Sequence, residues 1–152
     1  MTLVRKLWAI GSVAAIAAFT AHPASAQTAT WDQAKVTGIA KELAAAGSAW
    51  WQAVRDEGDD QDFVGAGDGE VYDSMMRESR VLFEASQGIA GSLAGGKGRA
   101  DTLDMYKSIK EVVDDMKVDE SRTFLEDPTI AAWKKFADLF TQITPYYADA
   151  AK

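Results

Sequence analysis

Four stretches of this 152-residue chain place apolar residues every three or four positions, and none sustains the strict alternation of a half-buried β-strand. A chain with that pattern can bury its apolar stripes only as helix against helix. The first stretch, residues 30–57, puts Val36, Ile39, Leu43, Ala46, Trp50 and Val54 on one face, with Thr30 as the expected N-cap and Gly58 as the stop. The second, 69–94, carries Val71, Met75, Leu82, Ile89 and Leu93 on its inner stripe, with Tyr72, Met76, Phe83 and Ala90 beside it. Asp68 is its expected cap, and Gly95 and Gly96 its end. The third, 101–117, groups Leu103, Tyr106, Ile109, Val113 and Met116 behind a cap at Asp101 or Thr102. The fourth has the clearest start, Asp127 as N-cap and Pro128 at the first helical position, where a missing amide proton costs nothing. It turns Ile130, Trp133, Phe136 or Ala137, Phe140 and Ile143 inward until Pro145 kinks or ends it, leaving Tyr146 and Tyr147 in the tail. The connection over residues 118–126 carries Phe124 and Leu125, which are expected to fold onto the core. Connections of about 6 to 11 residues predict antiparallel neighbours, hence an all-α, up-down-up-down four-helix bundle. The near-3.5 spacing favours shallow crossings.

Residues 1–26 precede these stretches and read as a signal peptide. Arg5 and Lys6 form a basic start, residues 7–19 an apolar run, and Ala24, Ser25 and Ala26 a small-residue cleavage site that would leave Gln27 as the first mature residue. The expected organisation is therefore a cleaved leader, 1–26, and one domain, 27–152. A domain of that size encloses one core and buries about two thirds of the unfolded chain's surface. The apolar run is shorter than the roughly 20 residues that cross a bilayer, so cleavage to a product with no membrane span is expected. An uncleaved, tethered form is the competing reading. An Ala-rich leader on a cysteine-free chain points to a bacterial periplasmic or secreted location.

Loss of the leader removes His22, the only histidine, and the chain has no cysteine. A mature protein without imidazole or thiol excludes zinc, copper and haem-iron sites built on those ligands, histidine-activated nucleophiles, and covalent haem attachment. Removing Arg5 and Lys6 from 16 Lys plus Arg leaves 14 against 23 Asp plus Glu, a net charge of −9. Nucleic acid and anionic membrane surfaces are disfavoured partners for so acidic a chain. No asparagine is present, hence no N-glycosylation site.

What remains for chemistry is oxygen, thioether and aromatic ring. Asp56, Glu57, Asp59, Asp60, Asp62, Asp68 and Glu70 are interleaved with Gly58, Gly65, Gly67 and Gly69. Carboxylates and flexible backbone suit a hard cation, and Asp60, Asp62, Asp68 and Glu70 are the candidate calcium ligands. Counted from Asp60 in a helix-loop-helix calcium frame, Asp62, Gly65 and Asp68 fall on the third, sixth and ninth positions. Val64 and Val71 occupy the fifth and twelfth, where ligands belong, and Glu70 comes one residue early. The alternative is a solvated acidic turn with Asp68 as a helix cap. The run Gly91, Ser92, Leu93, Ala94, Gly95, Gly96, Lys97 has the spacing of a phosphate-binding loop. Gly98 replaces its Ser or Thr, and a helix rather than a strand precedes it, so a glycine C-cap is expected instead. Lys97 and Arg99, ahead of the third helix, leave a weak anion site open.

Ser79 and Ser86 interrupt the second helix's inner stripe, where they either let a neighbour approach closely or leave room for a ligand. The candidate pocket is Ser79, Ser86, Met75 and Trp50, within a setting rich in methionine and aromatic residues. Trp50 and Trp51 point about 100° apart on a helix, so one is expected to be partly exposed. That one, like Tyr146 and Tyr147, is either a rim residue or an anchor for a partner. Asp114 and Asp115 read as a solvated face, and no carboxylate pair has acid and base spacing. No catalytic residue and no cofactor is expected.

In leader, mature length and helix number the chain resembles exported four-helix bundles of the cytochrome c-prime and cytochrome b562 type. The resemblance implies topology alone, because residues 127–147 hold neither the paired cysteines nor the histidine of the family's haem site. The expected function is a non-enzymatic exported bundle that binds a protein partner or small apolar ligand, or acts structurally. Its alternatives are calcium binding by the acidic loop and descent as a haem-less relative of those cytochromes.

Overall fold

Asp32 opens the first helix by accepting the amide of Lys35 on its carboxylate Oδ1 at 3.0 Å, one orphan donor of a helix start satisfied by a side chain. The computed structural model describes residues 28–60, 66–118 and 127–148. Within them the chain forms α1 (Gln33–Asp60), α2 (Ala66–Ala94), α3 (Arg99–Val118), α4 (Asp127–Ile143) and a 3₁₀ turn over Thr144–Tyr146, with no strand. The leader with its cleavage site, and the connection carrying Phe124 and Leu125, lie outside the described residues. No helix among the described residues is long and apolar enough to cross a membrane.

Four helices form where the apolar period places them, but the ends obey other forces. The N-cap of α1 is Asp32 rather than Thr30, which lies two residues earlier and exposed. Gly58 does not stop α1, which runs on through Asp60. It is glycine because a Cβ there would enter the ring of Tyr72 on α2, so its role is clearance rather than termination. Asp68 is not a cap either, since α2 already begins at Ala66. The C-terminus of α2 follows the sequence reading. Gly96 adopts φ +83°, Lys97 N–H donates to Ser92 O at 3.0 Å and Gly96 N–H to Leu93 O at 3.1 Å, the paired bonds of a Schellman ending. Before α3, Asp101 is not the cap but reaches back from the first turn, accepting the Gly98 amide on Oδ2 at 2.9 Å, half of a capping box. Asp127 is itself the first residue of α4, with Pro128 in the first turn.

The expected stripes supply the core. Val36, Leu43, Trp50 and Val54 of α1, Met75, Leu82 and Ile89 of α2, Tyr106, Ile109 and Val113 of α3, and Phe136, Phe140 and Ile143 of α4 are buried. Each large apolar side chain removed from water contributes about 1.5–3 kcal/mol. Ala40, Ala44 and Ala85 join them, small residues that bring helix axes together. Helix α1 packs on both α2 and α4, and α2 on α3. Helices α3 and α4 meet through stacked rings, Tyr106 on Phe140 at 5.3 Å between centroids.

A close approach of three helices lies at Gly47 of α1. A Cβ built there would lie 2.6 Å from Ser86 Oγ and 3.3 Å from Phe136 Cε2, the first closer than real Cβ atoms approach and the second tighter than most of their contacts. Gly38, on the exposed side of the same helix, would meet nothing within 4 Å. The two glycines should therefore respond oppositely to alanine. Gly38→Ala should stabilise by about 0.5–1 kcal/mol from helix propensity. Gly47→Ala should lose about 1 kcal/mol or more through overpacking, propensity notwithstanding. Urea denaturation of the two variants checks the difference in sign.

Candidate functional site

Helix α1 ends on its outer side beside the first turn of α4, and the two enclose a groove of about 410 Å³ lined by Ala49, Gln52, Ala53, Asp56, Glu57, Pro128 and Thr129. The helical repeat explains the α1 wall: residues 49, 52, 53 and 56 share one face. Pro128 and Thr129 come from the turn that the Asp-Pro start signal fixes. The wall is apolar at Ala49, Ala53 and Pro128. Its polar groups are the Gln52 amide, which donates through Nε2 to Asp56 Oδ1 at 2.6 Å, the Glu57 carboxylate, and Thr129. Glu57 is only 7% exposed and Thr129 only 2%, so both reach the groove from the core side. Asp56 stands on the exposed side. A second groove of about 370 Å³ runs between α2 and α3, lined by Val81, Glu84, Ala85, Asp104, Met105 and Ser108.

None of the sequence-expected pocket residues lines either groove. Trp50, Met75, Ser79 and Ser86 are all fully buried. Ser79 Oγ donates to Met76 O and Ser86 Oγ to Phe83 O, each at 3.0 Å, the back-bonding by which a helical serine satisfies its own hydroxyl. Ser86 also faces Gly47, where α1 comes close to α2. Trp50 packs its indole on Trp133 at 5.5 Å, and its Nε1 is buried with no acceptor among the described residues.

Of the candidate calcium ligands, Asp62 and the side chains of Asp60 and Asp68 lie outside what is described, and Glu70 is exposed on α2. α1 extends through Asp60 and α2 begins at Ala66. Among the described residues, no three His, Cys, Asp or Glu side chains converge where they could hold a metal ion.

The aromatic residues whose exposure the sequence left open are packed. Trp51 is half-buried, stacked on Phe83 at 4.7 Å with the Arg55 guanidinium over its ring at 5.1 Å. Tyr146 is 7% and Tyr147 0% exposed. Tyr147 lies flat on Tyr106 at 4.3 Å and receives the edge of Trp31 at 5.6 Å, while Ala29 N–H donates to Pro145 O at 3.0 Å. These contacts close one end of the molecule over its own terminus. Gln33 ties it further, accepting Trp31 Nε1–H at 2.9 Å and donating to Lys97 O at 3.0 Å and Leu93 O at 3.3 Å. Lys97 thus lends its carbonyl to the fold, and Arg99 donates to Tyr146 O at 3.3 Å.

The Tyr147 hydroxyl is paired in the interior with a threonine. Thr102 Oγ1 lies 2.7 Å from the Tyr147 hydroxyl and 3.2 Å from the carbonyls of Gly98 and Arg99. A threonine hydroxyl has one proton. Carbonyls can only accept, so the Thr102 proton can go to one of them or to the Tyr147 oxygen, and either hydroxyl can be the donor in the 2.7 Å pair. Nothing in the sequence distinguished this threonine from a cap, and nothing marked Gln33 or the burial of Glu57. Each depends on a neighbour dozens of residues away.

No protein-family model, curated protein or solved structure matches this chain.

Burial raises the Tyr147 hydroxyl above the ordinary tyrosine value of 10.0, an effect partly offset by its bond to Thr102. The unfolded chain then releases this proton at lower pH than the folded one, so Tyr147's contribution is complete below about pH 10 and is lost as pH rises through its folded value. Tyr147→Phe should cost about 1 kcal/mol at neutral pH. Its disadvantage should shrink above pH 10, because the variant has no proton to lose there. Thermal melts of both proteins from pH 7 to 11 check the convergence.

Proposed function

We propose that this chain is exported, loses residues 1–26, and works as an up-down-up-down four-helix bundle that binds a partner or a small, largely apolar ligand without turning it over. The observation that carries the binding reading is the α1/α4 groove. Its volume of about 410 Å³ falls in the range of small-molecule pockets, about 300–1,000 Å³, and its mix of apolar wall and few polar groups is typical of them. The bundle topology is supported by paired contacts: Gly58 with Tyr72 and Gly47 with Ser86 between α1 and α2, Gly88 with Met105 between α2 and α3, and Tyr106 with Phe140 between α3 and α4. Descent as a haem-less relative of the exported cytochrome bundles is compatible with that topology and adds no site.

Native mass spectrometry of the protein taken from its source tests both halves of the reading. A polypeptide beginning at Gln27, carrying a non-covalent ligand or partner released on collision, is the expected result. An intact leader would overturn export with cleavage, and a bare polypeptide would count against retained-ligand binding.

Two further readings have specific support. The unpartnered Trp50 indole N–H favours an internal acceptor beside Met75, Ser79 and Ser86, and a ligand there should shift the Trp50 indole proton resonance. The carboxylates around residues 56–70 favour calcium at Asp60, Asp62, Asp68 and Glu70. That site should give heat with millimolar calcium in calorimetry and raise the Tm by mass action; a silent titration would end it.

A further inference from the structure

We propose that residues 28–32 are a strap whose docking shuts off the bond between Ala26 and Gln27, so that the leader has to be removed before this end of the bundle closes. The proposal rests on the reading of residues 1–26 as a cleaved leader and adds the order of events.

Residues 28–32 form neither helix nor strand. Their exposure alternates, with Thr28, Thr30 and Asp32 outward and Ala29 and Trp31 partly buried against the core, the period of two of an extended chain lying on a surface. Both inward residues are held. Ala29 N–H donates to Pro145 O at 3.0 Å, and Trp31 sets its ring edge-on against Tyr147 at 5.6 Å. The Trp31 indole N–H donates to Gln33 Oε1 at 2.9 Å, and the Gln33 amide donates to Lys97 O at 3.0 Å. The strap is thereby tied to the turn after α2 as well as to the 3₁₀ turn after α4.

Only two residues, Gln27 and Thr28, separate the expected cleavage point from Ala29. At full extension they carry the bond no more than about 7 Å from the held amide. A domain of this size has a radius of gyration of about 14 Å, and proteolysis acts on exposed backbone that nothing pins. With Ala29 N–H committed to Pro145 and Trp31 seated on Tyr147, a peptidase reaching for Ala26 meets the bundle itself. Before docking it has the chain as far as Asp32, about 20 Å of free backbone. Asp32 caps α1 through Lys35 N–H, so the helix starts without help from the strap. An uncleaved, tethered form is then the precursor that folds first.

The test uses the full-length precursor, folded in detergent, and a purified bacterial leader peptidase, with cleavage followed by mass spectrometry. Folded wild type is expected to be cut after Ala26 at least tenfold more slowly than a variant with about ten Gly and Ser residues inserted between Gln27 and Thr28, which moves the bond away and leaves residues 28–32 as they are. Ala29→Pro with Trp31→Ala removes the amide donor and the ring contact. That double variant should also be cut at least tenfold faster than wild type, with its helix content unchanged by circular dichroism. Less than a tenfold gain in the insertion variant, or in the folded double variant, overturns the strap and leaves the leader reading standing where cleavage still falls after Ala26. Failure of the insertion variant to be cut there removes the leader reading, and the order of events with it.

Discussion

The close approach of three helices at Gly47 sets the geometry on which the remaining contacts depend. There α1 has no side chain, Ser86 of α2 keeps its hydroxyl on its own helix, and Phe136 of α4 lays its ring edge into the gap. With no disulfide available to the chain, helix spacing rests on packing alone, and interiors at crystal-like density tolerate little error. The small residues along this contact, Ala40, Ala44 and Ala85, extend the approach. Trp50 of α1 packs on Trp133 of α4 a turn further along.

The two ends of the molecule are built differently from that centre. One end is closed by rings and backbone: Trp31, Tyr147, Tyr106 and Phe140 form a continuous series of contacts, with Thr102 paired to the Tyr147 hydroxyl and Gln33 fastening the glycine turn after α2. The other end carries the groove, with a buried carboxylate and a buried threonine in its wall. Stacked aromatic pairs add about 0.5–1.5 kcal/mol each beyond burial, which strengthens the closed end. On the proposed binding reading, a packed scaffold holds the groove's walls without their having to be ordered by a ligand.

The ion pairs contribute little to either end. Arg80 with Glu84 lies on the exposed face of α2, and Lys110 with Asp114 on the half-exposed face of α3, both at i,i+4 spacing. Such pairs are worth about 0.3–0.5 kcal/mol and are screened by salt.

Periodicity in the sequence was enough to determine four helices and most of their buried faces, because a stripe at 3.6-residue spacing has one way to leave water. It also determined the Schellman ending at Gly96 and the Asp-Pro start of α4, which are decided within a few residues. Tertiary structure alone decided the roles of Gly58, Ser86, Glu57, Thr102 and Tyr147. Gly58 reads as a helix stop until Tyr72 is seen beside it, and Ser86 as a gap in an apolar stripe until Gly47 is. Tyr147 reads as a tail residue until Tyr106 lies under it. The groove was illegible for the same reason: its walls come from residues 49–57 and 128–129, and local pattern carries no record of which helix a face will meet.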